Sequence, residues 1–154
     1  MRLQITAACV FSATVAAACA RAADLPADVE AAVRAGAEEK WPRDDAMQRH
    51  TIEEETRSYR SLVRLISVES VPNEVLARIK ERAASKWATS YQMQYHTVQE
   101  QLDAFRKLGR EKSQDGMPDE VFQEIRKAAA VKWKDDYCMQ SHTVEEEEEA
   151  SRDL

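Results

Sequence analysis

One block of sequence occurs three times in this chain. Residues 25–62, 71–108 and 117–154 align without a gap: Pro26, Pro72 and Pro118 fall 46 residues apart, as do Trp41, Trp87 and Trp133. Twelve positions are identical in all three copies. In the first copy they are Pro26, Val29, Ala37, Lys40, Trp41, Met47, Gln48, His50, Thr51, Glu54, Arg60 and Leu62. A fixed period of about 20–50 residues is the mark of stacked supersecondary units. A unit of roughly 38 residues with no disulfide and no evident structural metal is too small to hold itself folded. The three units are therefore expected to pack on one another.

Each unit reads as two helices. The first begins near the proline, which a first helical turn tolerates, and acidic residues follow it (Asp28; Glu74; Asp119 and Glu120), as suits a helix N-terminus. The apolar stripes Val75, Ile79, Ala83, Trp87 and Val121, Ile125, Ala129, Trp133 step by four, with Leu76 and Phe122 beside them, which is helical periodicity rather than strand alternation. The second helix is expected to start near Asp44, Ser90 and Asp136, all good cap residues. Its seam is most apolar in the middle copy (Tyr91, Tyr95, Val98, Leu102, Phe105, Leu108) and more polar in the outer two. That gradient suits a stack whose central unit has neighbours on both sides. The expected fold is all-α: three tandem antiparallel helix pairs forming one small domain over residues 23–154. After Leu62 the sequence Val63-Arg64-Leu65-Ile66 is apolar enough to prolong the helix. Residues 109–116 are polar and contain two glycines, so the second junction is expected to be the more mobile.

Upstream of the repeats, Arg2 precedes an uncharged run from Leu3 to Ala20 that ends in Ala18-Cys19-Ala20 or Ala20-Arg21-Ala22. This is the layout of a secretory signal peptide with a small-residue cleavage site. Gln4, Thr6, Ser12 and Thr14 interrupt the run too often for a membrane span, which needs about 20 strongly apolar residues. Residues 1–22 are thus expected to be removed, with cleavage before residue 23 or 21, leaving an exported chain, periplasmic or secreted, with no membrane span. Cleavage takes Cys9 and Cys19 with it and leaves Cys138 alone. No intramolecular disulfide framework then exists. The lone thiol either links two chains as a homodimer or, as the expected reading, packs beside Tyr137 and Met139.

The whole chain carries 22 Lys+Arg against 28 Asp+Glu, a formal net charge of −6. Nucleic-acid binding relies on clustered positive charge, so a nucleic-acid partner is not expected. No His-Glu-x-x-His, Gly-x-Ser-x-Gly or phosphate-binding glycine loop is present, and no cofactor is expected. The repeated string Trp41, Met47, Gln48, His50; Trp87, Met93, Gln94, His96; Trp133, Met139, Gln140, His142 is the candidate site. Its expected role is structural: Trp and Met packing at the elbow between the helices, with Gln, His and Thr hydrogen-bonding the turn. The rival readings are a metal held by His–Glu pairs four residues apart on one helical face and a thiol enzyme using Cys138 with His142. The five glutamates 145–149 read as a solvated helix end.

The string Lys132-Trp133-Lys134-Asp135-Asp136-Tyr137-Cys138-Met139-Gln140, followed by His-Thr and an acidic helix, resembles a short helical-hairpin module of bacterial exported and envelope proteins. Such modules read Trp-Pro-Asp-Asp-Tyr/Phe, then Met-Gln, then a Gln-rich helix. Only the first copy keeps Trp41-Pro42, and only the third keeps the Asp-Asp-Tyr order. The likeness to small helical lysozyme-inhibiting envelope proteins is looser, because those depend on cysteine pairs. The resemblance implies an envelope location and a protein-interaction or structural role, with no catalytic residues. The partner implied is an envelope protein.

Overall fold

A computed structural model of the chain describes residues 25–110, 113 and 117–152. The expected signal peptide lies outside the described residues, as do Leu154 and most of the second junction whose mobility was expected. Six helices follow in order: α1 (Ala27–Lys40), α2 (Asp45–Arg64), α3 (Asn73–Lys86), α4 (Tyr91–Leu108), α5 (Asp119–Trp133) and α6 (Tyr137–Arg152). Among the described residues the only β feature is a bridge between Val68 and Val71. The fold is all-α.

Each odd-numbered helix starts at a proline. Pro26, Pro72 and Pro118 occupy the N-cap with extended backbone, ψ near 139°, 141° and 136°. A fixed proline φ is compatible with entry into a helix, and the missing N–H is not needed there. Acidic residues sit in the first turn of each of these helices and a lysine in the last, the arrangement the helix dipole favours. Of the apolar stretch expected to prolong the helix, α2 takes in only Val63 and Arg64: Leu65 is its C-cap and Ile66 lies outside it, 81% exposed.

Helix α1 packs on α2, α3 on α4 and α5 on α6; in addition α2 packs on α4 and α4 on α6. The even-numbered helices therefore form a row, and each odd-numbered helix lies against its own partner. The larger apolar cluster centres on the middle pair, with Val75, Leu76, Ile79, Ala83, Val98 and Leu102 buried, and reaches Leu62 on one side and Tyr137 on the other. A second cluster joins Met117, Phe122, Ala129 and Val144. Here one expectation is corrected. Val121 is 48% exposed, and its neighbour Phe122, 1% exposed, takes the inward place. The ring fills the core at a helical position adjacent to the stripe, leaving Val121 turned outward.

The two contacts within the row use the same parts 46 residues apart. Glu55 of α2 accepts from Ser90 Oγ (2.8 Å) and from the Gln92 amide (3.0 Å) at the start of α4. Gln101 of α4 accepts from the Tyr137 amide (2.7 Å) and donates to Asp136 (3.0 Å) at the start of α6. Beside each, two rings meet edge-to-face: Tyr59 with Tyr91 at 5.0 Å and Phe105 with Tyr137 at 5.1 Å. At the other end of each contact a cation closes a helix C-terminus. Lys80 donates to the carbonyls of Leu62 (2.8 Å) and Leu65 (3.2 Å), and Arg126 to those of Leu108 and of Arg110 (2.9 Å). Free amides at a helix start and free carbonyls at its end cost stability when buried without partners. These cross-helix bonds satisfy both. Gln101→Ala is expected to lower unfolding free energy by about 1–3 kcal/mol in urea titration. Asp103→Ala, on the solvent side of the same helix, is expected to leave it unchanged within about 0.5 kcal/mol.

Candidate functional site

The turn between the helices of each pair is built by the repeated residues. The indole N–H of Trp41 donates to Thr51 Oγ1 (3.1 Å), that of Trp87 to Thr97 (2.9 Å) and that of Trp133 to Thr143 (2.9 Å). The side-chain amide of Gln48 donates to the Trp41 carbonyl (2.7 Å), and that of Gln94 to the Trp87 carbonyl (2.9 Å). A half-buried indole and amide gain most when their polar atoms are paired, and each turn meets that need with its own threonine and carbonyl. The amides of Asp44, Ser90 and Asp136 donate to the carbonyls of Trp41, Trp87 and Trp133 (3.2, 3.1 and 2.8 Å). The same three residues cap the next helix through their side chains. The lysine before each tryptophan lies over its ring, at 5.6, 5.2 and 5.0 Å.

The third turn departs in one respect. Helix α5 continues through Trp133, and Lys134 follows with φ of 36°. Gln140 then donates to the Lys134 carbonyl instead of the Trp133 carbonyl. Met47, Met93 and Met139 are all half-buried beside the turns.

The histidines are elsewhere. His50, His96 and His142 are exposed and do not bond the turn, contrary to the expected elbow role. Thr51, Thr97 and Thr143, one residue on, do bond it, as expected, and one helical step of 100° turns the histidine outward. His96 Nε2 lies 3.3 Å from Glu100 and His142 Nε2 3.3 Å from Glu146, all with side chains more than half exposed. The first copy differs: Glu54 pairs with Arg57 at 2.5 Å. These residues lie on α2, α4 and α6, the helices of the row. In the groove between α2 and α4, Glu54 and His96 line the same space with Arg57, Gln92 and Gln99. Among the described residues no three His, Cys, Asp or Glu side chains gather as a metal set would. Each His–Glu pair offers two ligands.

Cys138 is half-buried. Burial pushes its thiol pKa up, and the carboxylates of Asp136 and Glu100 add to this, partly opposed by Arg82 and Lys107. An activated nucleophile needs the opposite shift. The glutamate run is not uniformly solvated as the sequence led us to expect. Glu148 is 2% exposed and accepts from Ser113 (2.5 Å) and Arg110 (3.4 Å). Among the described residues no helix is long and apolar enough to cross a membrane. In comparisons with protein-family models, curated proteins and solved structures, nothing matches this chain.

Two outcomes follow for the repeated string. Trp87→Ala is expected to cost about 3–5 kcal/mol, a large part of a total of about 5–15 kcal/mol, whereas His96→Ala is expected to stay within about 0.5 kcal/mol; denaturant titration of both variants checks the order. For Cys138, the pH profile of iodoacetamide alkylation in the folded protein is expected to have its midpoint above that of the urea-unfolded chain. Because the folded pKa is the higher one, neutral thiol persists in the native state over the intervening pH range, and the slowing is greatest there.

Proposed function

We propose that the chain is a tandem array of three helix pairs acting without catalysis as a protein-interaction module, exported to the bacterial envelope. The observation that carries this is the division among the twelve repeated residues. Proline, alanine, lysine, tryptophan, methionine, glutamine and threonine each have a place in the helices, turns or core of all three copies, as does leucine in the two copies where it is described; valine and arginine differ in burial from copy to copy. The histidine, exposed in every copy, has no such place, and stability alone does not require it at 50, 96 and 142. A solvent-facing residue repeated along a row of helices is the pattern by which repeat proteins present a binding surface. The face around α6 adds Glu145 and Glu149, exposed like Glu146, so the partner surface is polar and basic rather than apolar or anionic.

The signal-like segment Arg2–Ala22 supports export, and the likeness of residues 132–140 to the envelope hairpin module supports the compartment. Mass spectrometry of the native N-terminus is expected to find a chain starting at residue 23 or 21; one starting at Met1 refutes export. For the surface, the test uses residues 23–154 as bait in an envelope extract, beside the triple variant His50→Ala, His96→Ala, His142→Ala. The variant is expected to keep the helical circular dichroism and thermal midpoint of the parent and to lose the specific captured protein. Equal capture by both overturns the histidine face as the binding surface. The dimer alternative through Cys138 is read on the same material by a non-reducing gel.

A further inference from the structure

The two contacts within the helix row are alike except in charge. In the second, the carboxylate of Asp136 sits beside the neutral amide of Gln101, and Arg82 of α3 reaches Asp136 at 2.5 Å. Arg78, one turn earlier, lies 3.3 Å from Asp135. In the first contact the carboxylate is Glu55, only 9% exposed, and the cap residue is the neutral Ser90. The positions 46 residues before Arg78 and Arg82 are Ala32 and Gly36. Glu55 accepts from Ser90 and from the Gln92 amide, and among the described residues it forms no ion pair. Lys40 lines the same cleft, with its ammonium 5.6 Å from the Trp41 ring centroid and no ion pair to Glu55.

Where the second contact has its arginines, the first has a cleft of about 710 Å³. Its walls include Ala32, Ala35 and Gly36 of α1, Glu55 of α2, and Thr89, Ser90 and Tyr91 at the start of α4. A Cβ added at Gly36 meets nothing within 4 Å, so the approach along α1 is open. A buried carboxylate held by neutral donors gains strongly from a guanidinium, whose flat fork suits a carboxylate and stacks on aromatic rings. The small side chains of α1 let a main chain come close, and the space is far larger than one guanidinium. We propose that this cleft is a docking site for an arginine side chain carried on a partner polypeptide, seated against Glu55 as Arg82 is seated against Asp136. The site lies apart from the histidine face and stands independently of it.

The test titrates residues 23–154 with acetyl-Ala-Arg-Ala-amide, followed by backbone amide NMR shifts. Binding in the roughly millimolar range is expected, with shifts centred on Gly36, Glu55 and Ser90. The citrulline peptide, of the same shape without charge, is expected to bind at least about tenfold more weakly, as is the arginine peptide to Glu55→Gln. Gly36→Arg supplies the side chain from within. It is expected to abolish peptide binding and to melt about 2–4 °C above Gly36→Gln, a difference that disappears in the Glu55→Gln background. Equal binding of the arginine and citrulline peptides, no shifts at roughly 10 mM peptide, or undiminished binding to Gly36→Arg each overturns the site. Free arginine binding as tightly as the peptide overturns the polypeptide as its carrier.

Discussion

Each even-numbered helix begins with amide groups that no turn of its own can satisfy, and the row of helices depends on where their acceptors come from. Part of the answer is local: Asp44, Ser90 and Asp136 cap their own helices. The rest comes from the neighbour. Glu55 and Gln101 reach across and take the amides of Gln92 and Tyr137. A buried helix start is therefore sound only while the preceding helix is in place. The edge-to-face ring pairs beside these bonds add apolar area, and Lys80 and Arg126 close the C-termini of the preceding helices in the same way. Polar satisfaction sets the register of the row, and the apolar clusters hold it there.

The row's open face follows from the same geometry. Helices α2, α4 and α6 each receive one of α1, α3 and α5, and each carries a histidine, His50, His96 or His142, to solvent. The turn is locked by the tryptophan–threonine bond, so the adjacent histidine is directed outward in every copy. A residue that is free of the fold and still repeated three times is the reason for placing binding on this face.

Much of the fold was legible in the chain itself. Steps of three and four, prolines, and aspartate or serine caps located all six helices, because those signals act over a few neighbouring residues. The tryptophan turn was legible as a structural unit because its partners lie within ten residues of one another. The histidines were misplaced. Periodicity puts His50 and Thr51 only 100° apart on the helix, so both were assigned to the turn that only the threonine meets. Val121 was placed on the inward stripe with Phe122 beside it, and only Phe122 turns inward. Glu55 and Gln101 were missed as caps because they differ in identity, and because their partners lie 35 to 37 residues away. Identity across copies flags what each unit does for itself. The contact between units is written in matched pairs that change together, Glu55 with Ser90 and Gln101 with Asp136. The cleft at Gly36 was invisible for a further reason: it is defined by side chains its position lacks.

That pairing also bears on how the chain avoids assembling in the wrong order. Three similar hairpins on one chain invite a misfold in which the first docks directly on the third, leaving the second looped out. The ring pair would tolerate it, since Tyr59 and Phe105 are both aromatic. The cap would not. Glu55 would then face Asp136, setting two carboxylates against each other at a buried helix start, where like charges are costly. The alternation of charged and neutral caps thus works as a key that distinguishes a neighbour from a look-alike.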